Sequence, residues 1–126
     1  MRRSLANLQL DYVDLYLVHA PIAYHYDEHT GLWPAADDGS RVYDLECGLL
    51  DTWGGMEGVY EEGLCRNIGV SNFSAAQLLA VAQGGSVVPA VNQVESHPLL
   101  AQPELLAVCK QLGVAFEAYS PLGGID

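Results

Sequence analysis

A regular alternation of strand and helix patterns in the second half of the chain is the feature that most restricts its fold. Apolar, β-branched runs predict strands at 67–71, 89–94 and 114–119. Helical patterns separate them at 75–83, capped by Ser74, and from Pro103 to Leu112, followed by Gly113. Strands joined through helices by short links predict a parallel sheet with right-handed crossovers, and therefore an α/β fold.

The first half of the chain fits the same scheme. Residues 4–10 predict the end of a helix with Ser4 as its cap, and 12–19 predict a strand that stops before Pro21. A further helix is expected at 51–62, with Asp51 or Thr52 as its cap and Gly63 beyond its end. Gly54, Gly55 and Gly58 weaken this helix unless a neighbouring backbone packs closely against them.

Residues 22–48 interrupt the alternation. The segment contains glycine, proline and six acidic residues against a single arginine, Arg41. Such a composition predicts a long, exposed and mobile acidic loop, and loops of this length in compact domains tend to be functional or disordered. The whole chain, 1–126, is otherwise expected to form one domain.

Charge and composition exclude several classes of protein. Hydrophobic residues make up 50% of the chain and charged residues 17%, which is typical of a globular protein. The formal net charge of −11 argues against nucleic acid or an anionic membrane as a partner. There is no apolar run near the ~20 residues of a membrane span and no signal-peptide pattern, so a cytoplasmic protein is expected. The three widely spaced cysteines then predict reduced thiols.

Polar or aromatic residues stand at the carboxyl ends of four predicted strands. They are His19, the pair Ser71 and Asn72, Gln93, and the pair Tyr119 and Ser120. Parallel neighbours place all of these on one rim of the sheet. A hydroxyl and two amides can satisfy the two N–H groups and the carbonyl of a primary carboxamide, while a tyrosine ring can stack on a flat heteroaromatic ring. With a histidine able to donate to a carbonyl oxygen, the set describes a nicotinamide facing a carbonyl substrate.

Four motifs resemble the aldo-keto reductase family, in the family's order. They are His19-Ala20-Pro21 after the run from Leu10 to Val18, Gly69-Val70-Ser71-Asn72-Phe73, Val91-Asn92-Gln93-Val94-Glu95-Ser96-His97-Pro98, and Ala118-Tyr119-Ser120-Pro121-Leu122-Gly123. The resemblance implies a partial (β/α)₈ TIM barrel, roughly strands 4 to 7, because a complete barrel needs about 250 residues. It also implies reduction of aldehydes or ketones, with NADPH or less often NADH as cofactor and a small-molecule carbonyl as substrate.

The resemblance also assigns roles to individual residues. His19 would be the catalytic histidine that orients the substrate carbonyl. The cofactor would be held by Ser71, Asn72 and Gln93 at the carboxamide, Tyr119 under the ring, and Ser120, Leu122 and Gly123 at the start of the pyrophosphate loop. The family's proton-donating tyrosine with its Asp and Lys, and its 2′-phosphate segment, match no part of this chain. The chain alone is therefore expected to be inactive. Ala20 replaces a common aromatic residue, so the substrate pocket is expected to differ.

Other interpretations stay open or are disfavoured by single residues. A non-catalytic nucleotide-binding or interaction module derived from the barrel is the main alternative, and open barrel edges predict self-association. Phe73 stands where the nucleophile elbow of a serine hydrolase has glycine. The sequence His25-Tyr26-Asp27-Glu28-His29 matches a zinc-protease pattern but lacks the apolar helix that the pattern needs, so no metal is expected.

Overall fold

Four strands form one parallel sheet in the computed structural model, which describes residues 1–25 and 35–124. The helices are α1 (Arg2–Leu8), α2 (Leu49–Glu61), α3 (Ala75–Gly84) and α4 (Pro103–Leu112). The strands are β1 (Tyr16–Val18), β2 (Ile68–Ser71), β3 (Val91–Glu95) and β4 (Ala115–Tyr119). Each strand pairs in parallel with the next one along the chain, in the order β1-β2-β3-β4, and the sheet does not close on itself. The predicted α/β alternation is confirmed.

Local signals in the sequence correctly located the boundaries of two helices. At the start of α3 the Ser74 hydroxyl accepts from the Gln77 N–H, and the Gln77 side chain accepts from the Ser74 N–H at 3.0 Å. Helix α4 begins at Pro103 and is followed by Gly113, which has a φ of 72°. These ends depend on residues that are close in sequence, which explains why the sequence was sufficient to predict them.

Two predicted caps are wrong. Helix α1 begins at Arg2, so Ser4 lies inside the helix, and no side chain caps its start. Helix α2 begins at Leu49 after Gly48, so neither Asp51 nor Thr52 is the cap. Asp51 is instead the third residue of the helix, and its carboxylate accepts from the Gly48 N–H at 2.8 Å. A carboxylate in this position satisfies a free N–H at the helix start as a cap would, which is why the two positions are easily confused.

The glycines of α2 are not sites of close packing. A Cβ atom added at Gly54, Gly55 or Gly58 would meet nothing within 4 Å, so the expectation of a neighbouring backbone there is wrong. The helix packs instead through Trp53 and Met56, which are buried in the core. The glycines therefore reduce helix propensity without a compensating contact.

Strand β1 is shorter than the predicted 12–19. An isolated parallel bridge joins Val13 to Cys65, and the regular pairing resumes only at Tyr16. Between them the carbonyl of Asp14 accepts from the side-chain Nδ2 of Asn67 at 3.1 Å instead of joining the ladder. A side chain has replaced a backbone partner, which apolar alternation cannot reveal.

The apolar core lies between the helices and one face of the sheet. Its buried members include Ile68, Val70, Leu78, Val94 and Leu105. Side chains alternate across a strand, so the neighbours of these strand residues point to the opposite face, here called the inner face. The carboxyl ends of the strands are here called the rim. The core residues below the rim hold these strand ends in position. In the described ranges no helix is long and apolar enough to cross a bilayer.

The segment 22–48 is partly organised. Antiparallel bridges join Tyr24 to Tyr43 and Ala35 to Arg41, and the two tyrosine rings lie 5.3 Å apart. Most residues from 35 to 48 are exposed, as predicted. Residues 26–34 lie outside the described residues, as does most of the His25–His29 pattern, and the predicted mobility of the loop stays a prediction.

Candidate functional site

The four strands bring the predicted site residues to one rim. His19 follows β1, Asn72 follows β2, and Tyr119 is the last residue of β4. Ser71 and Gln93 are register partners on β2 and β3. The sequence placed these residues on the same edge because parallel strands share the direction of their carboxyl ends.

Asn72 connects three of the four strand ends. Its Nδ2 donates to the backbone carbonyl of His19 at 2.8 Å and to the Ser71 hydroxyl at 3.2 Å. Its Oδ1 accepts from the Tyr119 hydroxyl at 2.8 Å. The backbone of Asn72 has a φ of 61°, a left-handed conformation that asparagine tolerates better than most residues. Asn72 therefore aligns the ends of β1, β2 and β4 through one amide.

Gln93 is held by its backbone and by its side chain. The carbonyl of Gln93 accepts from the Ser71 hydroxyl at 2.7 Å and from the Asn72 N–H at 2.9 Å. Its side-chain Nε2 donates to Oε1 of Glu117 at 2.9 Å. The Ser71 side chain is buried and gives its hydroxyl hydrogen to Gln93, so in this arrangement Ser71 supports the neighbouring strand.

The Tyr119 ring lies at the open end of the sheet. The residue is 37% exposed, and its hydroxyl reaches past β3 to Asn72. A tight turn follows, in which the Gly123 N–H donates to the Ser120 carbonyl at 2.8 Å. Ser120 and Gly123 both have positive φ values, and Leu122 is almost fully exposed. A partly exposed aromatic ring of this kind is a surface on which a planar ligand can stack.

Two polar residues of β3 position neighbouring loops. Asn92 is completely buried, and its Nδ2 donates to the Phe73 carbonyl at 3.0 Å, just beyond Asn72. Glu95 is the last residue of β3 and lies near the rim. Its carboxylate lies 3.2 Å from Nε2 of His97, and its carbonyl accepts from the Gln102 side chain at 2.7 Å. His97 closes a turn through two backbone hydrogen bonds with Leu100.

The surroundings of the rim contain an open cavity and no metal-binding cluster in the part that the structure describes. The cavity measures about 270 Å³ and is lined by Pro21, which follows His19 by two residues, and by Ile22, Ala23, Tyr43, Asp44, Leu45 and Cys47. Among residues 1–25 and 35–124, no group of three or more His, Cys, Asp or Glu side chains could hold a metal ion. All three cysteines are free, and burial raises the pKa of the Cys65 and Cys109 thiols.

Comparison with known proteins relates this rim to a family. The family model described as the aldo/keto reductase family matches residues 1–125. The chain belongs to the aldo/keto reductase family. It is 47% identical to aldo-keto reductase family 1 member A1 of Gallus gallus, covering 100% of this chain and 38% of that protein. It is 46% identical to glycerol 2-dehydrogenase (NADP(+)) of Saccharomyces cerevisiae, covering 98% and 42% respectively.

A solved structure supports the fold of this aldo-keto reductase chain. Aldose reductase from Giardia lamblia superposes with a TM-score of 0.90 at 36% identity, covering 98% of this chain and 40% of that one. The open four-stranded sheet is therefore part of a (β/α)₈ barrel, as the resemblance implied. The chain spans about two fifths of the length of the relatives it matches.

Sequence reasoning missed two residues of the site. Glu117 contacts Gln93 directly, and Asn92 supports the turn after Asn72. Asn92 lay inside a quoted motif without an assigned role. Glu117 stands two residues before Tyr119, and this spacing would have placed both on the same face of a strand. The predicted catalytic role of His19 and the predicted cofactor-binding roles stay predictions; the latter concern Ser71, Asn72, Gln93, Tyr119, Ser120, Leu122 and Gly123.

Proposed function

We propose that this chain supplies the nicotinamide-holding part of an NAD(P)H-dependent oxidoreductase that reduces aldehydes or ketones. The observation that carries the proposal is the contact set at the rim, where Asn72 bonds to His19, Ser71 and Tyr119 at one point. NADPH is the proposed cofactor because a relative at 46% identity is named for NADP(+). When bound, the reduced cofactor would supply a hydride.

Each rim residue has a chemical task in this proposal. Gln93 and Asn72 would bind the carboxamide of the nicotinamide, with Ser71 holding both in place. The Tyr119 ring would stack on the nicotinamide, and His19 would donate to the oxygen of the carbonyl substrate. The open cavity of about 270 Å³ would receive the substrate. No residue of this rim is assigned as the donor of the proton for the product alcohol.

A cytoplasmic location and low activity of the isolated chain belong to the same proposal. Free thiols are typical of a reducing compartment. We expect the 126-residue chain alone to bind NADPH without turning over a simple aldehyde, because the residues assigned here bind and orient but none is assigned as proton donor. Steady turnover of a simple aldehyde would contradict this assignment of roles.

NADPH titration, followed by the fluorescence of the reduced ring, tests the cofactor site. We expect saturable binding by the wild-type chain. Tyr119→Ala should weaken it by roughly 3- to 10-fold, because a stacked aromatic pair contributes about 0.5–1.5 kcal/mol. Tyr119→Phe is the matched control, since it keeps the ring and loses only the hydroxyl. Absence of saturable binding, or equal losses in the two variants, would contradict the proposal.

We also propose that two copies of the chain associate through their open sheet edges. The outer edges of β1 and β4 pair with no strand among the described residues, and most of β4 is exposed. Two four-stranded sheets joined β4 to β1 would supply the eight strands of a complete barrel. The alternative of a non-catalytic interaction module rests on the same edges.

Light scattering coupled to size-exclusion chromatography tests the association. We expect a dimer whose fraction falls on dilution, and Ala115→Lys on β4 should shift it toward monomer because charge at a sheet edge opposes pairing. Ala80→Lys, on the exposed side of α3, introduces the same charge away from the edges and should leave the dimer intact. A monomer at every concentration would refute the association.

A further inference from the structure

Gln93 and Glu117 form a side-chain pair on the inner face, directly below the rim. They are register partners on β3 and β4, so their side chains point the same way. The Gln93 Nε2 donates to the Glu117 Oε1 at 2.9 Å. The register of the two strands brings the pair together although 24 residues separate them in sequence.

The pair has a defined direction because a carboxylate can only accept hydrogen bonds. The end of the Gln93 amide that faces Glu117 must therefore be its NH₂ group, and the carbonyl oxygen Oε1 must point elsewhere. The backbone of Gln93 is held in place as well, since its carbonyl accepts from the Ser71 hydroxyl and from the Asn72 N–H. Within residues 1–25 and 35–124 no group donates to Gln93 Oε1, which leaves it as an acceptor for a ligand.

We propose that Glu117 is a positioning residue that fixes Gln93 as a hydrogen-bond acceptor and so makes the rim select a primary carboxamide over a carboxylate. The inference rests on the proposed function, because it concerns the group that the nicotinamide ring carries. A carboxamide NH₂ donates to Oε1 of Gln93. A carboxylate in the same place has no N–H to donate. Its oxygen would face Oε1 of Gln93, which is also an acceptor, and the two oxygens would repel each other.

Replacing Glu117 by glutamine keeps the size of the side chain but removes the requirement that the NH₂ group of Gln93 face residue 117. Glutamine offers either a carbonyl or an NH₂ to its neighbour, so the Gln93 amide can rotate and present its NH₂ to the ligand. Glu117→Gln should therefore lose affinity for the carboxamide and gain affinity for the carboxylate. Because Glu117 is exposed, the substitution is expected to leave the fold unchanged.

The experiment compares NADP⁺ with its nicotinate analogue, in which a carboxylate replaces the carboxamide. Binding is measured by NMR shifts of the backbone and of the Gln93 side-chain NH₂, which report dissociation constants into the millimolar range without catalysis. We expect the wild-type chain to prefer NADP⁺ by about 10-fold or more, the effect of one hydrogen bond. In Glu117→Gln the preference should fall to roughly 3-fold or less, and the Gln93 NH₂ signals should move before any ligand is added.

Glu95→Gln is the matched control for charge. Glu95 also points from β3 toward the inner face, but its carboxylate contacts His97 instead of Gln93. We expect this variant to keep the wild-type preference within about 2-fold, since one exposed charge has a small effect. If Glu117→Gln keeps the wild-type preference, or if Glu95→Gln reduces it equally, the positioning role is refuted while cofactor binding stands. If the wild-type chain binds neither dinucleotide, the proposed function fails and the positioning role fails with it.

Discussion

Gly69→Ala should destabilise the chain by about 3 kcal/mol or more, a large fraction of the 5–15 kcal/mol typical of a domain. A Cβ atom at this position would lie 2.7 Å from the Val91 carbonyl oxygen and 2.7 Å from Cδ2 of Leu17. The leucine side chain can move, but the Val91 carbonyl belongs to the backbone of β3 and cannot move without disturbing the sheet. Equilibrium unfolding in urea gives the change in free energy.

Gly54→Ala is the matched control for that measurement, and its effect should have the opposite sign. A Cβ at Gly54 meets nothing within 4 Å, and alanine favours a helix interior by about 1 kcal/mol over glycine. We therefore expect Gly54→Ala to stabilise the chain. Destabilisation of similar size in both variants, or no effect at Gly69, would show that the close approach of β1, β2 and β3 does not limit this position.

Removing the side chain of Asn72 should weaken NADPH binding by roughly 10-fold, which corresponds to losing one hydrogen bond to the carboxamide. The loss has a second component because the Asn72 amide also holds His19 and Tyr119 in place. Fluorescence titration measures the dissociation constant, and urea unfolding measures stability in the same variants.

Two substitutions at Asn72 separate the side chain from the backbone. Glycine accepts the φ of 61° without strain, whereas alanine costs about 1–2 kcal/mol in this conformation. We expect Asn72→Gly and Asn72→Ala to lose NADPH binding equally and Asn72→Ala to be the less stable of the two. An Asn72→Gly chain that binds NADPH as the wild type does would exclude the amide from the cofactor site.

The sequence predicted those features that depend on near neighbours or on chain direction. The Ser74 cap and the Pro103 start of α4 follow from residues within one helical turn. The shared rim of His19, Asn72 and Tyr119 follows from parallel strands alone. Neither inference requires the register between neighbouring strands.

The features that were missed depend on tertiary packing or on strand register. The pairing of Gln93 with Glu117 requires the offset between β3 and β4, which apolar alternation does not define. The bond from Tyr119 to Asn72 passes over an intervening strand. The side chain of Asn67 donates to the backbone carbonyl of Asp14, which therefore has no partner in the ladder, and β1 is shorter than predicted. Each case depends on which atoms come within hydrogen-bonding distance after folding.

The spacing of the rim contacts along the chain has a consequence for the order of folding. Ser71 and Gln93 are 22 residues apart, and Gln93 and Glu117 are 24 apart, whereas Asn72 and His19 are separated by 53. Each doubling of a loop costs about 0.6 kcal/mol in closure entropy, so β2, β3 and β4 can assemble before β1 joins them. Strand β1 has three residues, and local opening would release it first. His19 is thus attached to the least protected edge of the sheet. In the proposed function, we therefore expect the substrate end of the site to open more readily than the cofactor end.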